Sequence, residues 1–228
     1  MGESATDDLE IRYRRVMEAI AEAAVSAGRS PDEITTIVVT KFHPSSLIRQ
    51  LHDLGHRHVG ENRHQEAVGK AHELADLDLV WHFIGQLQSN KARAVCEYAD
   101  VIHSIDRPSL VAKLANQEHP VDVFIEVNLT DDPGRGGVMP GNLAELVYRV
   151  VEASPLTLRG LMAVAPQDEE PARAFARVVA LRDSVLTRAP HATELSMGMS
   201  GDFREAIAAG ATHLRIGTAI TGKRPAGA

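Results

Sequence analysis

The sequence predicts a single α/β domain over residues 1–228, a (β/α)8 barrel with an extra helix at its N-terminus. Eight short β-branched or apolar segments alternate with helical stretches along the whole chain, the pattern of parallel strands joined by crossover helices. A length of 228 residues without a composition break suits one closed barrel. An open doubly wound sheet is the structural alternative. Residues 1–6 and 223–228 read as flexible ends.

The extra helix is read over 7–27, where Leu9, Tyr13, Val16, Ile20 and Ala24 recur at three- and four-residue spacing behind Asp7 and Asp8, and Gly28 stops it. The strands are ITTIVVTK (34–41), RHVGEN (57–62), LVWHFIG (79–85), DVIHSI (100–105), VDVFIEVNL (121–129), LTLRGLMAV (156–164), TELSMG (193–198) and THLRIGT (212–218). Several are nearly continuous apolar runs, as strands covered on both faces are. Helical periodicity lies between them at 46–54, 65–74, 143–153 and 171–188.

Composition narrows the function. The formal charge of −7 argues against nucleic acid and anionic membrane as partners. Cys96 is the one cysteine, so no intramolecular disulfide forms, and MGESATDDLEIRYRR has no apolar run resembling a signal peptide. A cytoplasmic protein, monomeric by default, is expected. His52, His56 and His58 lack the Cys or carboxylate companions of a zinc site, so no metal is expected. Cys96, Met197 and Met199 read as packing or pocket lining.

Active sites of such barrels lie where strands end. Lys41 ends the first strand, Glu61 and Asn62 the second, Gln86 and Gln88 follow the third, Ser104 is near the end of the fourth, Asn128 ends the fifth, Ser196 the seventh, and Arg215 and Thr218 the eighth. Polar residues also occur wherever strands stop, and that plainer reading stays open for each. A lysine leaving a buried strand is costly unless paired or neutral, and the neutral amine attacks aldehydes. SMGMSGDFREAI places small residues between a strand and a helix expected to begin near Ser200, and RIGTAITG offers Gly217 for close backbone approach and the Thr218 hydroxyl. Both suit a phosphate, or are ordinary helix caps. His82, within an apolar strand, is either a satisfied buried imidazole or a ligand contact.

The set TK, GEN, HFIGQLQSNKAR, GLMAVAP and LSMGMSGDFREAIAAGATHLRIGTAI resembles the pyridoxal phosphate homeostasis protein family (YggS/PROSC type) from about Ile34 to Gly222. The resemblance implies the alanine racemase N-terminal barrel without that enzyme's second domain, with pyridoxal 5′-phosphate held as an internal aldimine on Lys41. It further implies Arg215 against the pyridine nitrogen, Met199, Ser200, Gly217 and Thr218 around the phosphate, and Asn62, Ser196, His82 and Met162 lining the pocket. A cationic Arg at that nitrogen weakens the ring as an electron sink. Racemisation also needs a second acid/base group, which the racemases take from a tyrosine of the absent domain; Tyr13, Tyr98 and Tyr148 are all on expected helices or their ends. Arg63, His64, Arg135 and Thr221 depart from the residues usual at their positions and alter the pocket rim.

The resemblance therefore implies a carrier or buffer of the cofactor in vitamin B6 and amino-acid homeostasis, with pyridoxal-phosphate-dependent apoenzymes as partners, rather than an enzyme. A weak pyridoxal-phosphate-dependent amino-acid racemase is the alternative. A barrel enzyme for another phosphorylated metabolite is the third reading.

Overall fold

A computed structural model describes residues 3–117, 119–132 and 134–223. Eight parallel strands close on themselves in sequence order: β1 (Thr35–Val39), β2 (His58–Glu61), β3 (Val80–Phe83), β4 (Val101–Ile105), β5 (Val121–Glu126), β6 (Leu156–Met162), β7 (Glu194–Ser196) and β8 (His213–Ile216). Every predicted strand segment contains one of them. β1 pairs with β2 on one side and β8 on the other, with Ile37 opposite Arg215.

Around the barrel lie α2 (Ser45–Asp53), α3 (His64–Glu73), α4 (Ala92–Cys96), α5 (Pro108–Leu114), α6 (Leu143–Val151), α7 (Pro171–Leu186), α8 (Phe203–Ala208) and α9 (Thr218–Thr221). The extra helix, α1, runs from Glu3 to Ser26 and packs its Leu9, Ile20 and Ala24 face on α8 and α9. Arg12 Nε fastens it by donating to the Ile220 carbonyl at 2.8 Å. The ends expected to be loose fall partly outside the described residues, at 1–2 and 224–228. Among the described residues no helix is long and apolar enough to cross a membrane.

Strand alternation decides which side chains enter the barrel. A Cβ built on Gly60 would meet Ile37 Cγ2 at 2.9 Å, Ile84 Cδ1 at 3.3 Å and Val39 Cγ2 at 3.7 Å, so these three point inward. On β1 the inward set is thus Ile37 and Val39, and Lys41 is the next residue in that register, at the mouth. Val59 and Trp81 point the other way and pack with Ile48 and Leu74 under the helices.

The helix predicted to begin near Ser200 starts at Phe203. Asp202 Oδ1 accepts from the Met199 N–H at 2.6 Å, and the Asp202 N–H donates to the Met199 carbonyl at 3.2 Å. Asp202 itself has φ −141° and ψ 14°, away from helical values, so the regular helix starts one residue later.

Candidate functional site at the barrel mouth

The expected site residues come from a contiguous arc of the closed sheet. Met162 is on β6, Ser196 with Met199 and Ser200 on β7 and its loop, and Arg215 with Gly217 and Thr218 on β8 and its continuation. Lys41 follows β1, Asn62 follows β2 and His82 is on β3.

Lys41 is half-buried, and among the described residues its ammonium has neither a hydrogen-bond nor an ion-pair partner; Nζ lies 5.9 Å from the Phe42 ring centroid. Phe42 adopts a left-handed backbone conformation, φ 67°, unusual for a side chain with a Cβ. Its N–H donates to Glu66 Oε2 at 3.0 Å, so α3 grips the turn just after Lys41. Asn62, half-buried on the neighbouring strand end, keeps a buried Oδ1 with no hydrogen-bond partner among the described residues.

Arg215 is 5 % exposed and lies inside the barrel. Nη1 donates to the Ser196 carbonyl at 2.6 Å and the Ser196 hydroxyl at 2.8 Å, and Nη2 donates to the Ala163 carbonyl at 2.9 Å. A guanidinium has five N–H donors; among the described residues the Nε–H and one Nη2–H are left over. Burial lowers its pKa to about 10, against which Glu126 and Asp202 act. It is a cation at neutral pH.

Met199 is exposed and Ser200 half-buried in the loop after β7, and Thr218 is exposed at the start of α9. Gly217 lies where a Cβ would have one neighbour, Val39 Cβ at 3.7 Å, so the space before it is open. These positions line adjoining loops at one rim of the mouth.

The remaining expected contacts lie deeper. Met162 is buried with Phe124 and Val101 inside the barrel. His82 is 2 % exposed, and both its ring nitrogens face other histidines: Nε2 is 3.0 Å from His58 Nδ1, and Nδ1 is 2.9 Å from His103 Nε2. Neither nitrogen is left for a ligand. Ser196 is fully buried, with its hydroxyl between Arg215 and His103 Nδ1, the latter 2.9 Å away.

Asn128 serves its own loop, with Nδ2 donating to the Asp132 and Arg135 carbonyls at 2.8 and 3.0 Å. Of the departures, Arg63 lies over the Phe42 ring at the rim, 4.9 Å from its centroid, while His64 stacks on Tyr98. Among the described residues no group of three His, Cys, Asp or Glu side chains could hold a metal ion.

Sequence reasoning missed Glu126 and His103. Glu126 ends β5, and burial with Asp106 nearby pushes its pKa up to about 7, against the pull of Arg215 and Arg135. The signal was alternation: Phe124 points into the barrel, and Glu126 follows at the same parity.

The family model for the alanine racemase N-terminal domain matches residues 22–225. The pyridoxal phosphate homeostasis protein of Escherichia coli K12 is 43% identical over 228 residues, covering 96% of this chain and 97% of its own. This chain belongs to that family. The homeostasis protein of Pseudomonas aeruginosa PAO1 is 41% identical, with coverage of 94% and 95%. Among solved structures, PipY of Synechococcus elongatus PCC7942 with PLP bound matches at TM-score 0.79 and 37% identity, over 89% of this chain and all of its own. The alanine racemase of Corynebacterium glutamicum matches at TM-score 0.65 and 17% identity over 93% of this chain and 62% of its own, a likeness of fold alone. The homeostasis family thus shares the barrel over nearly its whole length, and the racemase shares it over part of a longer chain.

Proposed function

We propose that this protein binds pyridoxal 5′-phosphate at Lys41 and carries or buffers it within vitamin B6 and amino-acid homeostasis. The observation that carries the reading is a lysine amine just past the end of β1 that, among the described residues, has no hydrogen-bond or ion-pair partner, next to the strand that bears a buried Arg215 with two N–H donors left over. The names of the relatives and the cofactor in the PipY structure support it.

The mouth fits the cofactor's chemistry. Lys41 Nζ is the amine for the aldehyde, the spare Arg215 donors suit an aromatic nitrogen, and the orphaned Asn62 Oδ1 can accept one hydrogen bond. Backbone and hydroxyl groups at Ser200, Gly217 and Thr218 would take the phosphate at the open rim, while the Met199 N–H, expected there too, is committed to Asp202 Oδ1. When bound, the cofactor supplies an electrophilic carbon and a ring able to draw electrons from an attached amine. Arg215 donates hydrogen bonds without giving up its proton, so beside the ring nitrogen it would disfavour that nitrogen's protonation and weaken the ring as an electron sink.

The tyrosines support carriage over catalysis. Tyr13 on α1 meets His56, Tyr98 packs against Trp81 under the helices, and Tyr148 on α6 lies beneath Arg188. Among the described residues none of the three is hydrogen-bonded to, or in ring contact with, Lys41 or Arg215. The reading extends to a monomer that passes the cofactor to pyridoxal-phosphate-dependent apoenzymes in the cytoplasm. One observation favours a weak amino-acid racemase as a second reading: Glu126, a half-buried acid at the end of β5 whose pKa is pushed up to about 7, is suited to proton transfer at neutral pH.

Borohydride reduction of the loaded protein followed by peptide mass analysis tests the binding. The expected result is one adduct, on Lys41, absent from Lys41→Ala. Adducts scattered over surface lysines, equal in both proteins, would overturn it. Steady interconversion of amino-acid enantiomers that is lost in both Lys41→Ala and Glu126→Gln would establish the racemase instead.

A further inference from the structure

Arg215, Ser196, His103, His82 and His58 form one unbroken line of hydrogen bonds through the barrel interior. The successive separations are 2.8, 2.9, 2.9 and 3.0 Å. We propose that His103 is a positioning residue for Arg215, acting through the Ser196 hydroxyl at the head of a one-way file of neutral imidazoles that ends at His58.

The direction of the file follows from donor arithmetic. Arg215 can only donate, so the Ser196 oxygen accepts from Nη1. The hydroxyl's single hydrogen then needs an acceptor. Among the described residues the one other side-chain partner of Ser196 Oγ is His103 Nδ1. His103 therefore carries its proton on Nε2 and donates to His82 Nδ1. By the same step His82 carries its proton on Nε2 and donates to His58 Nδ1. All three imidazoles are neutral Nε2–H tautomers, and every acceptor nitrogen faces the arginine.

The surroundings keep the file neutral. Phe124 stacks on His103 with ring centroids 4.5 Å apart, and His213 lies 6.1 Å from His103 and 6.3 Å from His82. Burial holds His82 and His103 well below the ordinary histidine range, and His58 is lowered too, with Asp100 opposing. Protonating any member would set two donors face to face. A permanently cationic Arg215 thus imposes one polarity on the whole file.

The consequence is felt at Arg215. Among the described residues no carboxylate is hydrogen-bonded to this buried guanidinium; it is held by two carbonyls and one hydroxyl. With its hydrogen committed to His103, the Ser196 hydroxyl always presents a lone pair to Nη1. Without that acceptor the hydroxyl rotates, and the arginine loses one of its three restraints. The inference rests on the reading of Arg215 as the partner of the cofactor's ring nitrogen.

The test uses the 15N-labelled full chain without cofactor, then the loaded protein. Long-range imidazole 1H–15N correlations at pH 7 are expected to show His58, His82 and His103 all as Nε2–H. Ser196→Ala removes the hydrogen that fills His103 Nδ1, so His103 should become a mixture of tautomers. His103→Leu should speed hydrogen exchange at the Arg215 side chain and weaken cofactor binding ~10-fold, the loss of about one hydrogen bond, with the Lys41 adduct still forming. His103→Gln supplies an acceptor and a donor in the same order and should restore both.

An Nδ1–H tautomer or imidazolium at any of the three in the unmodified protein would overturn the proposal. So would an unchanged His103 signal in Ser196→Ala, or equal exchange in the Leu and Gln variants. If no protein forms a Lys41 adduct, the cofactor reading fails, while the nitrogen shifts and Arg215 exchange still decide the file.

Discussion

Lys70 Nζ, on α3, donates to the main-chain carbonyl of Thr40 at 2.9 Å and lies 2.6 Å from Glu61 Oε1. Thr40 closes the triangle, its hydroxyl donating to the same Glu61 oxygen at 2.7 Å. The residue before Lys41 is therefore tied to the end of β2 through a buried ion pair, Glu61 being 1 % and Lys70 11 % exposed.

Removing one partner of such a pair strands the other charge. Lys70→Met is expected to destabilise the protein by ~3–5 kcal/mol at pH 7, read as a lowered urea midpoint. Lys70→Met with Glu61→Leu should recover most of the loss. Burial already raises the Glu61 pKa and Lys70 lowers it, so the single variant raises it further. The folded state then binds the proton more tightly than the unfolded state, and the deficit shrinks as pH falls. A deficit independent of pH would mean that packing, not charge, holds the corner.

Gly198 sets the loop between Ser196 and Ser200. Its φ is +94°, and an added Cβ would come within 2.6 Å of Ala206 Cβ and 2.9 Å of Leu214 Cδ2. Its carbonyl also accepts from the Arg215 N–H at 2.9 Å. Gly198→Ala combines a left-handed backbone cost with overpacking and should destabilise by ~2–5 kcal/mol. Cofactor affinity should fall with it, since the backbone that moves carries both Ser200 and the Arg215 contact. Unchanged thermal and cofactor-binding midpoints would show that the loop accommodates the methyl group.

The barrel was legible because each strand carries its own signal. ITTIVVTK and THLRIGT are short and rich in β-branched or apolar residues, and strand order follows from alternation with helices. Lys41 and Arg215 were legible as polar residues closing such runs, and family motifs gave them roles. The histidine file was not legible. His82, His103 and Ser196 lie 21 and 93 residues apart along the chain, and only barrel closure with its stagger brings them together. The strand-end rule also misread Asn128, which looks like a pocket residue in one dimension and is used up in holding its own loop. Ser104 is fully inside the fold, its hydroxyl without a partner among the described residues, so its position near a strand end carried no information about the mouth.

The buried imidazoles make stability fall in acid. Burial lowers His56 and His213 to about 4 and holds His82 and His103 well below their ordinary value of 6.5. For a base whose folded pKa is depressed, the unfolded state takes up the proton first, so stability is present above pH ~6.5 and is lost as pH drops toward the folded value. Two carboxylates oppose this. Glu126, raised to about 7, and Glu61, also raised, bind protons in the folded state while an unfolded carboxylate is still ionised. Four strongly shifted imidazoles outweigh two carboxylates. Near pH 5 the unfolded state should hold about two more protons than the folded state, a slope of about 2–3 kcal/mol per pH. Urea midpoints measured between pH 7 and pH 5 should fall accordingly, and His213→Gln should reduce the slope by about one proton. A midpoint that is flat or rises toward pH 5 would mean that the carboxylates dominate and that these imidazoles accept protons within the folded barrel.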